Sequence, residues 1–269
     1  MREISKIMRQ AIIIIISLFF ITPENKAESN ISGMIKSRLE ELSVDENTRI
    51  AGEKMHSIEY ISNLYAKNDY RPFWTKAEYV GDAISALAGS YHDGLLTDDY
   101  HLQAIIRLHT ETVAIQDESE EKISRTADLD LLLTDGIIYY ADHLLFGKTD
   151  PVTLENTWNF GFAPIPDLNS ESLNHYISDR EIIIRLEQLR PDMHLYDTLL
   201  NTLAQYRHIM ANGGWGTVLA GGKIEPGNSD ARIPAIRKRL LATGGLSEKD
   251  STSSTFYDKL LERDIKECR

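Results

Sequence analysis

"SRTADLDLLLTDGIIYYADHLLFGK", Ser124 to Lys148, is the stretch whose reading decides the fold. Leu129, Leu132, Leu133, Ile137, Tyr140, Leu144 and Leu145 recur at spacings of three and four, the period of an α-helix rather than the alternation of a strand. Gly147 supplies a helix stop, and Pro151 prevents continuation. Asp128, Asp135 and Asp142 recur every seven residues and lie near one face of that helix. With Asp130 and His143 they admit two readings. Clustered carboxylates suit a hard cation. A solvated stripe opposite the leucines needs no ligand, and it is the expectation.

Working outward, most of the chain repeats the helical signal. Ile31–Leu42, His56–Asn68, Lys76–Ser90, Thr97–Thr112 and His194–Asn212 read as helices, as do "SLNHYISD" and "EIIIRLEQL". In the last of these the run Ile182–Ile184 alone would also suit a strand. "RPFW", Arg71–Trp74, reads as extended because Pro72 disfavours helix before it. "TVLAGGKIEP" is expected to form a short hairpin turning at Gly221-Gly222. The fold class is mainly α.

The first 27 residues stand apart. Arg2, Lys6 and Arg9 precede the near-apolar run Ala11–Ile21, and Thr22, Pro23 and Glu24 end it. That order is the n-region and h-region of a secretory signal. The run falls short of the roughly 20 residues that span a bilayer. Ala27 suits the last removed position but Asn25 does not suit the one two before it, so an uncleaved anchor is the alternative. The chain carries 29 Lys and Arg against 41 Asp and Glu, a net charge of −12. Such an acidic chain is a poor match for a polyphosphate backbone, which excludes nucleic acid as the expected partner. With one cysteine, Cys268, no internal disulfide forms and the exported part stands on packing.

"NGGWGTVLAGGKIEPGNSDARIPAIRKRL", Asn212–Leu240, is glycine-rich and then basic. A phosphate loop needs G-x-x-x-x-G-K-[ST], but Gly222-Lys223 is followed by Ile224. A dinucleotide fingerprint needs a helix directly after the glycines, and here Pro226 and a polar turn intervene. The stretch therefore reads as a hinge between two helical units, and no cofactor is expected.

Leu195–Leu246 resembles the junction of the large periplasmic L,D-transpeptidases. The residues that carry the likeness are Tyr206-Arg207 at a helix end, Gly213-Gly214-Trp215, Pro226-Gly227, and Arg232 to Leu240. Upstream, Phe73-Trp74, "YHDGLLTDDY" (Tyr91–Tyr100) and Thr126–Pro151 also resemble that family, in the same order. Gly216 and Gly245 depart from its usual proline and aspartate. The resemblance implies a signal peptide or N-terminal anchor over 1–27, a helical scaffold domain over 28–227, and an incomplete small helical, peptidoglycan-binding-like module over 228–269. It also implies the periplasm (free or anchored at the inner membrane) and peptidoglycan or cell-wall synthesis proteins as partners. A membrane would be met only through an uncleaved N-terminal segment.

Catalysis in that family belongs to a further domain with a nucleophilic cysteine, which makes and passes on an acyl-enzyme. Cys268-Arg269 resembles the end of its motif, but Lys266-Glu267 stands in place of the expected pair. Cys268 fits better inside a second module helix, "TFYDKLLERDIKECR", where Asp264 takes the place of an alanine. No catalytic, metal or cofactor residue is therefore assigned, and the substrate-binding residues are unknown. The chain is expected to be inactive alone, as a truncated transpeptidase scaffold. The alternatives are a stand-alone peptidoglycan-binding adaptor and a truncated product without function. With a third module helix missing, residues 233–269 are expected to be poorly ordered unless docked.

Other groupings have bland readings. The eight histidines show no zinc-binding spacing. Arg232, Arg237, Lys238 and Arg239 are expected to form a solvated helix face. Tyr139, Tyr140, Trp158, Phe160 and Phe162 would suit a glycan groove, though packing is the expectation.

Overall fold

A computed structural model describes residues 23–45, 47–149, 168–244, 246 and 253–267. The apolar run Ala11–Ile21, the prolines at 151, 164 and 166, Trp158, Phe160, Phe162 and Cys268 lie outside the described residues. Among those described, ten α-helices form and no strand. They are α1 (Pro23–Val44), α2 (Ile58–Lys67), α3 (Ala77–Gly89), α4 (Leu102–Ala114), α5 (Glu120–Phe146), α6 (Ser170–Ser178), α7 (Ile182–Gln188), α8 (His194–Ala211), α9 (Ile233–Ala242) and α10 (Lys259–Glu267). The molecule is mainly α, as expected. No described helix is long and apolar enough to cross a membrane.

The chain divides into two compact units, Met1–Asp192 and Met193–Arg269. The expected boundary at 227/228 falls inside the second unit. That partition follows the family resemblance and stays an expectation.

In the first unit α5 is the axis, packed by α1, α2, α3, α4 and the 3-10 turn Thr97–Tyr100. Its start lies four residues before Ser124, because Ser119 is the N-cap and Glu120 and Glu121 place negative charge at the helix N-terminus. It ends where Gly147, at φ +83°, donates its N–H to His143 O at 3.0 Å. Leu129 and Leu131 to Leu133 are all buried, as are Ile137, Ile138 and Tyr140. Consecutive buried residues mean the helix is covered on all sides, not along one stripe.

Gly136 is what lets the 3-10 turn approach. A Cβ there would sit 2.8 Å from the Tyr100 carbonyl oxygen. The expected helix Thr97–Thr112 is broken at His101, whose φ of +61° is left-handed. A side chain pays strain for that conformation, and the His101 ring is held at both ends. Ile182–Ile184 is helical. Ile182 and Leu186 are buried one turn apart while Ile184 is exposed. Asn169 and Ser172 form a capping box at the start of α6.

The second unit has a smaller core. Ile233, Leu240, Leu246 and Leu261 are buried, with Ile224, Ile236, Tyr257 and Ile265 against them. Ile265 is thus partly covered by this cluster. The expected hairpin does not form. A Cβ on Gly221 would sit 2.4 Å from Arg232 Nη1, and Arg232 Nη2 donates to Gly222 O at 2.8 Å. The extended pairing goes elsewhere: Gly227 N donates to Tyr257 O and Tyr257 N to Asn228 O, both at 2.8 Å. The expected solvated basic face is also corrected. Arg237 is 2% exposed, and its Nη2 donates to Asp258 Oδ2 at 2.6 Å and Phe256 O at 3.1 Å.

Candidate functional site

The acidic residues of α5 do not line a solvated stripe. Asp130 is 2% exposed and Asp135 fully buried, while Asp128 and Asp142 are only half-buried. The reason is the all-round packing of α5, which leaves these carboxylates facing loops instead of water.

Asp130 meets the segment after α2. Its carboxylate accepts from Phe73 N at 3.1 Å, Trp74 N at 2.8 Å and Tyr65 Oη at 2.6 Å. Thr134 Oγ1 accepts from Trp74 Nε1 at 3.0 Å and lies 2.8 Å from Tyr65 Oη. Pro72 keeps this segment out of helix, so its N–H groups have no intrahelical acceptor, and Asp130 supplies one. Burial pushes the Asp130 carboxyl up to about 6, against the pull of the Tyr65, Trp74 and Phe73 donors.

One turn further on, Asp135 caps a different element. It accepts from His56 N at 2.9 Å and Ser57 N at 2.7 Å, the residues that lead into α2. Ser57 is the N-cap of α2 but makes no capping bond with its own side chain. A carboxylate from another helix takes that place, where the α2 dipole favours negative charge. His101 Nε2 lies 2.9 Å from the same carboxylate, and His101 Nδ1 lies 3.4 Å from Glu53 Oε2.

Towards the end of α5 the network turns aromatic. His143 is driven down to about 4, first by burial and then by the Lys148 charge, so it is neutral near pH 7. Its Nδ1 then accepts from Tyr100 Oη at 2.7 Å. Tyr140, which was a candidate groove residue, is buried and donates to Asp93, whose carboxylate also takes two bonds from Arg190 at 2.7 and 3.0 Å. Tyr139 is half-buried and stacks on the His56 ring, with centroids 4.3 Å apart and planes 3° from parallel. Burial first, with Asp135 opposing, lowers the His56 pKa.

The chemistry of this arrangement is positional. The buried carboxylates and hydroxyls of α5 are spent on holding loops 53–57, 71–74 and 97–101. Among the described residues no group of three or more His, Cys, Asp or Glu could hold a metal. On the surface, a cleft of about 390 Å³ lies between α4 and α5. Its floor is charged, but Arg125 is engaged by Glu111 and Glu121. A second cleft of similar volume lies beside Tyr60 and Leu168. Sequence reading missed Tyr65, Thr134, His101, Asp93 and Arg190 as members of the network. The available signal was that Asp130 lies between Leu129 and Leu131, in a run apolar on both sides of it.

A family model described as "Scaffold domain" matches residues 59–203, more than half of the chain. The chain belongs to the Scaffold domain family. The matched span runs from the first turn of α2 into the middle of α8, so every residue of the α5 network except Glu53, His56 and Ser57 lies within this scaffold domain. No curated protein matches the chain.

Proposed function

We propose that the chain is the scaffold portion of a murein L,D-transpeptidase, acting in peptidoglycan cross-linking and cell-wall biogenesis. One observation carries the reading. The Scaffold domain match over 59–203 coincides with the ordered motifs at Phe73-Trp74, Tyr91–Tyr100 and Thr126–Pro151, and the junction Leu195–Leu246 continues that order. The α5 network supports it, because it rigidifies a helical platform and holds no exposed nucleophile–base pair among the described residues. The basic start followed by Ala11–Ile21 supports export to the periplasm.

In this role the chain meets peptidoglycan or cell-wall synthesis proteins, and the acyl transfer itself belongs to a cysteine domain. Purified chain should sediment with isolated sacculi, saturably and at moderate salt. It should form no 3→3 cross-links from tetrapeptide muropeptides. Absence of saturable binding would contradict the wall-facing role, and cross-links made by this chain alone would contradict its assignment as scaffold.

A further inference from the structure

The scaffold network leaves one prominent feature unused. The 18-residue helix α8 has no buried residue at all. Yet its sequence is not that of a solvated helix. Tyr196, Leu199, Leu203, Tyr206 and Met210 fall at alternating spacings of three and four, the a and d positions of two consecutive heptads. Leu195, Leu200 and Ile209 flank them. Leu199 is 58%, Tyr206 51% and Met210 69% exposed. The Tyr206 ring meets the edge of Trp215, at 5.5 Å between centroids and 87°. At 1.5 Å per residue the seam from Tyr196 to Met210 runs about 21 Å, which is more than a scattered surface leucine requires.

Charge identifies the occupant. Residues 193–269 hold eleven Lys and Arg and nine Asp and Glu, a net +2, so the acidic excess behind the chain's −12 lies entirely in the first 192. The α8 face carries neither the cationic margin that an anionic lipid surface rewards nor the charge that would repel its own copy. Within α8 the carboxylate, Asp197, sits near the N-terminus and the guanidinium, Arg207, near the C-terminus, on the same side of the seam. Running two copies antiparallel brings that side of one helix against the same side of the other. Asp197 of each then faces Arg207 of the other, twice by symmetry. A parallel pair would set Arg207 against Thr202 and Ile209 and leave the acidic end without a counter-charge. The side-by-side attraction of antiparallel helix dipoles favours the same orientation.

We infer that α8 is a self-association surface, on which a second copy of this chain packs antiparallel through the Tyr196–Met210 seam to give a two-fold dimer. In one copy Leu199, Tyr206 and Met210 are exposed and Tyr196 and Leu203 half-buried, and none belongs to a core, so the dimer forms without unfolding either core.

Sedimentation velocity of the purified chain across a concentration series tests this. The unsubstituted chain should show a reversible monomer–dimer equilibrium. Leu203→Glu places a charge at the centre of the seam in both copies and should weaken the dimer at least about tenfold, with helix content unchanged in far-ultraviolet circular dichroism. Asp197→Arg and Arg207→Asp should each weaken it less, and the double variant should recover most of the loss. The double variant also guards against a folding artefact, because recovery requires a folded α8. A chain that stays monomeric, a dimer indifferent to L203E, or charge reversals that are not rescued together would overturn the proposal. So would a monomer that instead binds phosphatidylcholine vesicles through this face.

Discussion

Asp130 and Asp264 are both buried carboxylates on helices, one in each unit, and their surroundings differ. Asp130 accepts from two backbone N–H groups and a tyrosine hydroxyl. Asp264 is 4% exposed, and its Oδ1 accepts from Arg263, but among the described residues Oδ2 has no partner. Arg237 in the same unit has a buried Nε with none either. The first unit turns its buried charges into supports for loops. The second carries them as a cost, because burying a polar atom without a bond forfeits its hydration with nothing in return. A helix axis covered on all sides can afford internal polar groups when each finds a donor. A small two-helix core has few donors to offer.

The sharpest way to break this contrast is Asp130→Ala. It strands the Phe73 and Trp74 N–H groups and the Tyr65 hydroxyl, and should cost the first unit about 3–5 kcal/mol, by the scale for breaking a buried charged network. Urea unfolding followed by Trp74 fluorescence measures it; a loss below about 1 kcal/mol, the worth of an ordinary hydrogen bond, would mean the network is decorative. The same residue predicts a pH dependence. Because burial raises the folded Asp130 pKa to about 6, from about 3.9 in an unfolded chain, the folded state holds the proton more tightly. Its contribution to stability is then fullest below pH 4 and declines as pH rises to about 6. Asp130→Asn should remove that slope, and an unchanged slope would assign it to another group.

Gly136→Val comes next. Its Cβ would press on the Tyr100 carbonyl at 2.8 Å, a backbone atom that cannot swing away, and should destabilise the first unit by about 1–3 kcal/mol. Wild-type stability in this variant would mean that the 3-10 turn yields freely. A gain is expected in the second unit. Asp264→Ala removes a buried, half-satisfied carboxylate and leaves only the exposed Arg263 behind, so α9–α10 should become more stable by about 1 kcal/mol. A loss in thermal unfolding would show that Asp264 has a partner in solution. The smallest effect belongs to the α6 cap, where Asn169→Ala should cost about 1 kcal/mol or less.

The sequence made the helices legible for a clear reason. Leucines at three and four, with a glycine after them, define α5 and its C-terminal end, while its start at Glu120 lies four residues before the expected Ser124. It did not reveal which side of α5 is wet, since heptad-spaced aspartates look the same whether they face water or buried N–H groups. The run from Leu129 to Leu133, apolar on both sides of Asp130, was the sign that the helix has no solvent face there. Arg237 was misread for a related reason. In a cluster of four basic residues, nothing local marks the one that turns inward to Asp258. The glycine pair 221–222 suggested a hairpin, but local turn chemistry does not supply a strand partner. That partner came from 255–257, beyond α9.

Native-state hydrogen exchange tests the central claim most directly, because the amides of His56, Ser57, Phe73 and Trp74 lie outside regular helix hydrogen bonding yet donate to Asp130 or Asp135. If α5 is the support of the scaffold, these four should exchange as slowly as the core amides of α5. They should also exchange far more slowly than those of α10, and Asp135→Asn should selectively accelerate His56 and Ser57. Exchange at the rate of exposed loops in the unsubstituted chain would contradict the account.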